Sequence, residues 1–482
     1  MRWRDRWDAY WFAPAPLVDL AVCRLVVVAT RLWWLQTVGP WRWVDALSTF
    51  PNWLFNPPPL LHLLMWPVGW HARPSAVAVQ VIMWVVLITG AMALIGWRTR
   101  VTMPLFALGN LFFGAYKYSF NDLHHDDALF TIALVVLALS PCGEALSWDS
   151  IRRRAMAAGR QARWTPQADL MTRHALAGWP LRLIQWMFVL VYASAGISKW
   201  AHGGLHWLNG YTLQYYLLQD GLRWDSSLGV WLSQYHLLAL VLSWVTVLFE
   251  STFVLAVIWP RLAWIYLPVG ALLHVGITYS MRADFTSYIV LYAAFVPWHR
   301  MVAWLAAHRP RPAVERRPEL LFDGLCSLCR RTIAVLQSCD WFGRLVYSPL
   351  ESRWPQVTTR YPQLTFDACQ REMHLLLPDG TVRVGFLAFR RLLQEIPALW
   401  PVLALFYLPG ASMIGPRIYR AVAARRPRLL ACTPQTCPTK PGPTPKAGSA
   451  TGVPVAADGR LTEPGTTSKG SSAIAVPAGT HR

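Results

Sequence analysis

The chain is short of charge, and of acidic charge above all. Only 15% of its 482 residues are Asp, Glu, Lys or Arg, and 25 acidic residues stand against 45 basic ones, a formal net charge of +20. So little charge, beside 54% hydrophobic residues and 28 tryptophans, excludes an ordinary soluble domain and points to a membrane protein with a soluble part attached. A basic excess in a soluble protein would raise nucleic acid as a partner. Here the arginines sit beside apolar runs, where they set topology, so membrane lipids are the expected partner and nucleic acid is not. A cleavable signal peptide is also lacking. Arg2, Arg4 and Arg6 make a basic start, but Arg24 and Arg31 interrupt the apolar run after them and no small-residue cleavage site follows. Cysteine is sparse and scattered, at Cys23, Cys142, Cys326, Cys329, Cys339, Cys369, Cys432 and Cys437. That excludes a secreted disulfide framework, and it leaves Cys326 and Cys329 as the one CxxC pair.

What is there in quantity is long apolar runs. They predict spans over residues 17–38, 75–97, 101–116, 128–141, 181–197, 230–259, 262–281 and 285–298, about eight in all. Residues 41–70, rich in Trp and Pro, read as an interfacial or re-entrant segment. Arginines precede the first span (Arg2, Arg4, Arg6) and separate the second from the third (Arg98, Arg100). They fill the connection after the fourth (Arg152, Arg153, Arg154, Arg160, Arg163, Arg173) and follow the eighth (Arg300, Arg309, Arg311, Arg316, Arg317). All four groups fall on one side of such a bundle, and the positive-inside rule makes that side cytoplasmic. The N-terminus and the CxxC pair are therefore expected on the cytoplasmic face of the inner membrane.

Ionisable groups at membrane depth are functional candidates because leaving them unpaired costs several kcal/mol. Lys199 ends the fifth run and either snorkels to the interface or serves as a base. His124, His125, Asp126 and Asp127 either hold a metal or form a hydrated turn that caps the next helix. Glu250 and His274 either pair within the bundle or line a cavity. Arg24 and Arg31, seven residues apart, share one helix face and are expected to meet acidic groups or lipid phosphates.

Several of these residues fall into a pattern. Cys23-Arg24-Leu25, His125-Asp126-Asp127 with an apolar run to Leu139-Ser140-Pro141, and Tyr192-Ala193-Ser194-Ala195-Gly196-Ile197-Ser198-Lys199 followed by Trp207-Leu208-Asn209-Gly210 resemble the HTTM family, over residues 8–304. This is the membrane domain shared with vitamin K-dependent gamma-carboxylases. The resemblance implies a quinone-type pocket, with Lys199 as the base and His125 assisting; the residue before it, usually Asn, is His124. The large lumenal domain of the carboxylases has no counterpart here.

Residues 305–318 read as an Arg/Pro-rich linker. Beyond it, Glu319 to Phe322 reads as a strand, Asp323-Gly324 as a turn, and Cys326 to Cys339 as a helix. A second strand is expected at Leu345-Val346-Tyr347. A hairpin joins residues 372–377 to 381–386 through Pro378-Asp379-Gly380. Helical segments are expected at 389–394 and 412–425, flanking an apolar stretch at 399–408. CxxC at a helix start places Cys326 where free amides and the helix dipole stabilise a thiolate, with Cys329 one turn on to resolve a mixed disulfide. Asp323 either assists proton transfer or shapes the turn. The competing reading is zinc, with Cys339, Cys369 and His374 completing the ligand set. The stretch from Leu321 to Cys329 is similar to the DGxCxxC signature of the DCC family of thiol-disulfide oxidoreductases. Met373-His374, Gly385, and Leu408-Pro409-Gly410 leading to Tyr419-Arg420 share the likeness, over residues 319–430. The resemblance implies a protein-disulfide reductase whose partner is an unidentified thiol or disulfide protein. Residues 433–482 have the composition of a disordered tail.

The expected architecture is thus a polytopic α-helical membrane bundle, a small α/β thioredoxin-like domain, and a tail. A redox-active dithiol is expected, with a vitamin K-like quinone in the bundle and no metal. Two other functions compete with the reductase: a carboxylase- or epoxidase-like reaction at Lys199, and a non-enzymatic membrane sensor, immunity or transport module.

Overall fold

The computed structural model describes residues 3–37, 40–69, 72–120, 127–161, 172–308 and 316–425. Several expectations fall outside these residues: those on His124, His125 and Asp126, on Cys432 and Cys437, on most of the linker, and on the tail.

The first part is helical. Its main elements are α1 (Leu17–Thr37), α2 (Ala76–Ile95), α3 (Thr99–Tyr118), α4 (Ala128–Ala138), α5 (Trp148–Arg160), α6 (Gly178–His202), α7 (His236–Thr252) and α8 (Ala263–Met281). Of these, α2, α6 and α8 are long and apolar enough to cross a membrane. α2 is apolar all round: Val79, Met83 and Val86 are buried, whereas Val77, Val81, Trp84 and Ile88 are exposed. A helix of that kind suits lipid on its outer side. The Ser75 hydroxyl opens α2 by accepting the Ala78 amide, and Gly96 closes it in the left-handed conformation. α1 is equally long but carries Asp19, Arg24 and Arg31. α4 and α7 are apolar and shorter.

Among the described residues, three helices therefore reach spanning length and apolarity, against the eight runs expected. Two runs differ from expectation in detail. Residues 230–259 are broken into Ser227–Leu232, α7 and Val254–Ile258, with Ser233, Gln234 and Tyr235 at the first break. Residues 285–298 give only a short helix, Thr286–Leu291, and a 3₁₀ turn, Tyr292–Ala294. Residues 41–70 hold short pieces, Pro40–Ser48 and Pro59–Met65, the second entered through consecutive prolines. Helix Trp298–His308 runs into the stretch expected to be linker.

The second part is built on a four-stranded sheet of β1 (Glu319–Phe322), β2 (Val346–Pro349), β3 (His374–Leu376) and β4 (Val382–Val384), in the order β2-β1-β3-β4. β1 and β2 are parallel, joined through α9 (Ser327–Cys339), and the β3–β4 hairpin adds antiparallel to β1. Alternation along β1 assigns the two faces. Leu320 and Phe322 pack with Ile333 and Leu336 of α9 and Leu392 of α12 (Gly385–Glu395), whereas Leu321 packs with α10 (Leu350–Arg360) and α11 (Phe366–Arg371). α13 (Trp400–Leu405) and α14 (Ala411–Ala424) close the described chain. The expected strand at 381–386 ends at Val384, because Gly385 at φ +57° turns the chain directly into α12.

α5, which lies in a stretch read as a charged connection, packs along α9. Ile151 of α5 joins the α9 side of the sheet core. Its first turn is also tied to the bundle, for the Asp149 carboxylate accepts hydrogen bonds from the amides of Arg98 and Thr99 and from the Thr99 hydroxyl.

Candidate active site

Cys326 is the N-cap of α9, and its Sγ accepts the Cys329 amide at 3.2 Å. A cap sulfur in that place receives a backbone N–H and the positive end of the helix dipole, both of which favour a thiolate. The turn that delivers it is held by Asp323, whose Oδ1 accepts the amides of Leu325 at 3.0 Å and Cys326 at 3.1 Å. Cys326 and Cys329 are both buried, at 0% and 1% exposure. The loop turn places Asp323 beside Cys326, and the first turn of α9 places Cys329 beside it.

Glu351 escaped the sequence reading. Its two carboxylate oxygens accept the Gly324 amide at 3.0 and 3.1 Å, close to the Asp323 carboxyl. Burial first, and then the adjacent Asp323 carboxyl, push Glu351 up to about 7 against the lowering effect of backbone hydrogen bonds that include the Gly324 amide. A Cβ on Gly324 would lie 2.6 Å from Glu351 Oε2 and 3.0 Å from Pro349 Cβ, so this close approach requires glycine. The parallel register of β1 and β2 brings Glu351 here. In a parallel βαβ unit, the residues that follow the two strands lie side by side, and Phe322 is paired with Pro349.

Arg330, one turn beyond Cys326, is fully buried. Its Nη1 donates to Gly324 O at 2.8 Å, Nε to Ala158 O at 3.0 Å and Nη2 to Gly159 O at 3.3 Å. One guanidinium thus joins the loop before the dithiol to the last carbonyls of α5, the groups a helix C-terminus leaves without intrahelical donors.

On the other side of Cys329 opens an apolar groove of about 600 Å³. Cys329, Leu328 and Met373 form one end, Phe386 and Phe389 of α12 one wall, and Ile414, Ile418 and Val422 of α14 the other. Cys326 is not among its lining residues.

The zinc candidates do not assemble: among the described residues, no group of three or more His, Cys, Asp or Glu side chains is placed to hold a metal. Burial pushes Cys369 up to about 11 and raises Cys339 as well, as expected of inert core thiols. His374 is buried and bonded through Nδ1 to Glu372 O at 2.9 Å.

The membrane-depth candidates pair with one another. Lys199 Nζ lies 2.9 and 2.7 Å from the Glu250 carboxylate oxygens and 5.0 Å from the Trp207 ring centre. His274 Nε2 is 2.7 Å from the Tyr192 hydroxyl, which is 2.7 Å from that of Tyr292. Arg31 meets Asp127 at 2.7 Å and Asn110 at 2.5 Å, whereas Arg24 donates to Leu146 O at 2.6 Å.

No curated protein matches this chain, and no solved structure does. A family match covers the part that carries the dithiol: residues 320–432 match the DCC1-like thiol-disulfide oxidoreductases.

Proposed function

We propose that this protein is a membrane-anchored thiol-disulfide oxidoreductase that reduces protein disulfides. The observation that carries the reading is a cysteine at a helix N-cap, bonded to the amide of its CxxC partner, inside a stretch that matches an oxidoreductase family. In the proposed cycle the Cys326 thiolate attacks one sulfur of the substrate disulfide. A mixed disulfide forms and the first substrate thiolate leaves. Cys329 loses its proton and attacks Cys326 Sγ, which closes the 326–329 disulfide and frees the second substrate thiolate. Two electrons pass to the substrate. The Asp323–Glu351 carboxyl pair, coupled to the Cys326 loop through Gly324 and the turn amides, is assigned the proton. The β-α-β-plus-hairpin order of the sheet supports a thioredoxin-like domain over residues 319–430. The reductase direction and the cytoplasmic placement are inferred from the arginine distribution, since dithiols on that side face a reducing pool.

The test is a pair of variants of the full chain. Cys326→Ser is expected to abolish disulfide reduction, and Cys329→Ser to accumulate mixed disulfides through Cys326. A wild-type chain inactive with every thiol donor would sink the proposal.

A second reading concerns the bundle, where a vitamin K-type quinone is proposed beside Lys199. It is favoured by the clustering of Lys199, Glu250 and Trp207 on neighbouring helices. Hydroquinone-dependent epoxide formation, lost in Lys199→Ala, is its expected signature. A wild-type chain that forms no epoxide rules it out.

A further inference from the structure

With the bundle in place, α13 and α14 still leave their outer side uncovered. Leu405 and Leu408 are 60% and 56% exposed, and Ile414, Ile418 and Val422 along α14 are each at least half exposed. Single apolar residues on a surface are ordinary, but a continuous band of them marks a docking face. The band follows from how α14 is seated. Gly410, at φ +84°, turns the chain from α13 into α14. A Cβ on Gly415 would overlap the Phe386 ring, so glycine lets α14 approach α12, and the Tyr419 hydroxyl accepts the Met373 amide at 3.0 Å. Those contacts occupy the face of Gly415 and Tyr419. Ile414, Ile418 and Val422, at four-residue spacing, form the strip beside it and one wall of the groove.

Charge decides what covers the band. No Asp or Glu occurs from residue 396 to residue 425. Arg417 and Arg420 are exposed on the flank of the strip away from α12, and Arg425 is exposed at the end of α14. Among the described residues, none of these three arginines is in an ion pair. Trp400 and Tyr407 are exposed nearby, residue types that settle at the headgroup level of a membrane. An apolar strip flanked by arginines, without acids, has the composition of a helix that lies in the plane of a bilayer surface.

We propose that α13 and α14 dock the dithiol part on an anionic lipid leaflet, with Ile414, Ile418 and Val422 among the acyl chains and Arg417, Arg420 and Arg425 at the lipid phosphates. The inference rests on the membrane-anchored reading above, which places a bilayer beside the same chain, and it is independent of the redox step. Docking holds the groove between α12 and α14 at the bilayer surface.

The experiment uses the full chain in lipid nanodiscs, with the photo-cross-linker p-benzoylphenylalanine replacing one residue at a time. In place of Ile418 it is expected to cross-link to lipid, in a yield that rises with the anionic fraction of the leaflet. In place of Asp367, exposed on α11 across the sheet, it is expected to give no lipid adduct. Each arginine near an anionic surface strengthens binding roughly fivefold, so Arg417→Gln combined with Arg420→Gln should lower the ratio of docked to undocked chain about 25-fold, read as a fall in cross-link yield. Cross-links from position 418 to protein alone, equal yields at 418 and 367, or a yield indifferent to lipid charge would overturn the proposal. Val81, exposed on α2, reports on the bundle. Lipid adducts at Val81 but not at 418 defeat only the docking, whereas none at Val81 defeats the membrane-anchored reading and the docking with it.

Discussion

Glu351 and Asp323 place two carboxyl groups together against the Gly324 amide, where water has little access. Two acids in such a site favour a shared proton, because the second negative charge is both desolvated and repelled. The consequence for stability has a definite sign. Glu351 titrates near 4.5 when solvated and near 7 in the fold, so between these values the folded chain binds a proton that the unfolded chain has released. Its contribution is therefore complete below about pH 4.5 and is lost as pH rises through about 7, a change on the order of 3 kcal/mol. Glu351→Gln should flatten this fall. Denaturant midpoints of the sheet-bearing part, followed in the full chain from pH 4.5 to 8, would reveal it; parallel wild-type and variant curves would remove Glu351 as the cause. Asp323 was legible in the sequence because its work is local, two and three residues along the chain. Glu351 was not, because 27 residues separate it from Gly324 and only the parallel register brings them together.

At the scale of elements, the reading succeeded where a segment's own period decides its structure. β1, α9 and the β3–β4 hairpin carry their signals locally, and each lies within a few residues of its expected place. α5 failed for an instructive reason. Its arginines match the positive-inside pattern, which speaks to topology and not to secondary structure. Yet Ser147 and Ser150 form a reciprocal capping box at its start, with amide-to-hydroxyl distances of 3.0 and 3.3 Å. That is a helix signal no charge count contains. The break of residues 230–259 has the opposite lesson. Apolar residues flank both breaks, but at Ser233-Gln234-Tyr235 the Ser233 hydroxyl bonds back to Val230 O, and at the second break the Thr252 hydroxyl bonds back to Leu248 O. Such bonds offer the backbone alternatives to a straight helix. Apolar length finds where a bundle is, and side-chain hydrogen bonding decides how its helices are cut.

For the molecule as a whole, the question is how the bundle and the dithiol part act on one another, and beside the packing of α5 on α9 the structure supplies a polar link. Arg330 joins Gly324 O, in the loop that ends at Cys326, to Ala158 O and Gly159 O of α5, and α5 in turn is fixed to the start of α3 through Asp149. Gly159 permits the contact, since a Cβ there would overlap the Arg331 side chain. A displacement of α5 in the bundle therefore reaches the dithiol loop through a single guanidinium that is bonded at both ends. Replacing Arg330 by Met keeps the apolar stem and leaves three carbonyls without their donor. Hydrogen bonds to a charged group are worth ~1.5–3 kcal/mol each, and not all of that is lost if water enters. The expected cost is about 3 kcal/mol, concentrated at the α5–α9 contact. Arg330→Lys should recover little of it, because an ammonium cannot reproduce the fixed fork that spans three acceptors. The measurement is hydrogen exchange in the full chain, joined to the rate at which iodoacetamide alkylates Cys326. Both should rise in Arg330→Met, with α5 and the 323–326 loop losing protection together while β3 and β4 keep theirs. Protection lost from the sheet as a whole would show that Arg330 stabilises the domain generally, and unchanged alkylation would show that α5 does not govern access to the dithiol.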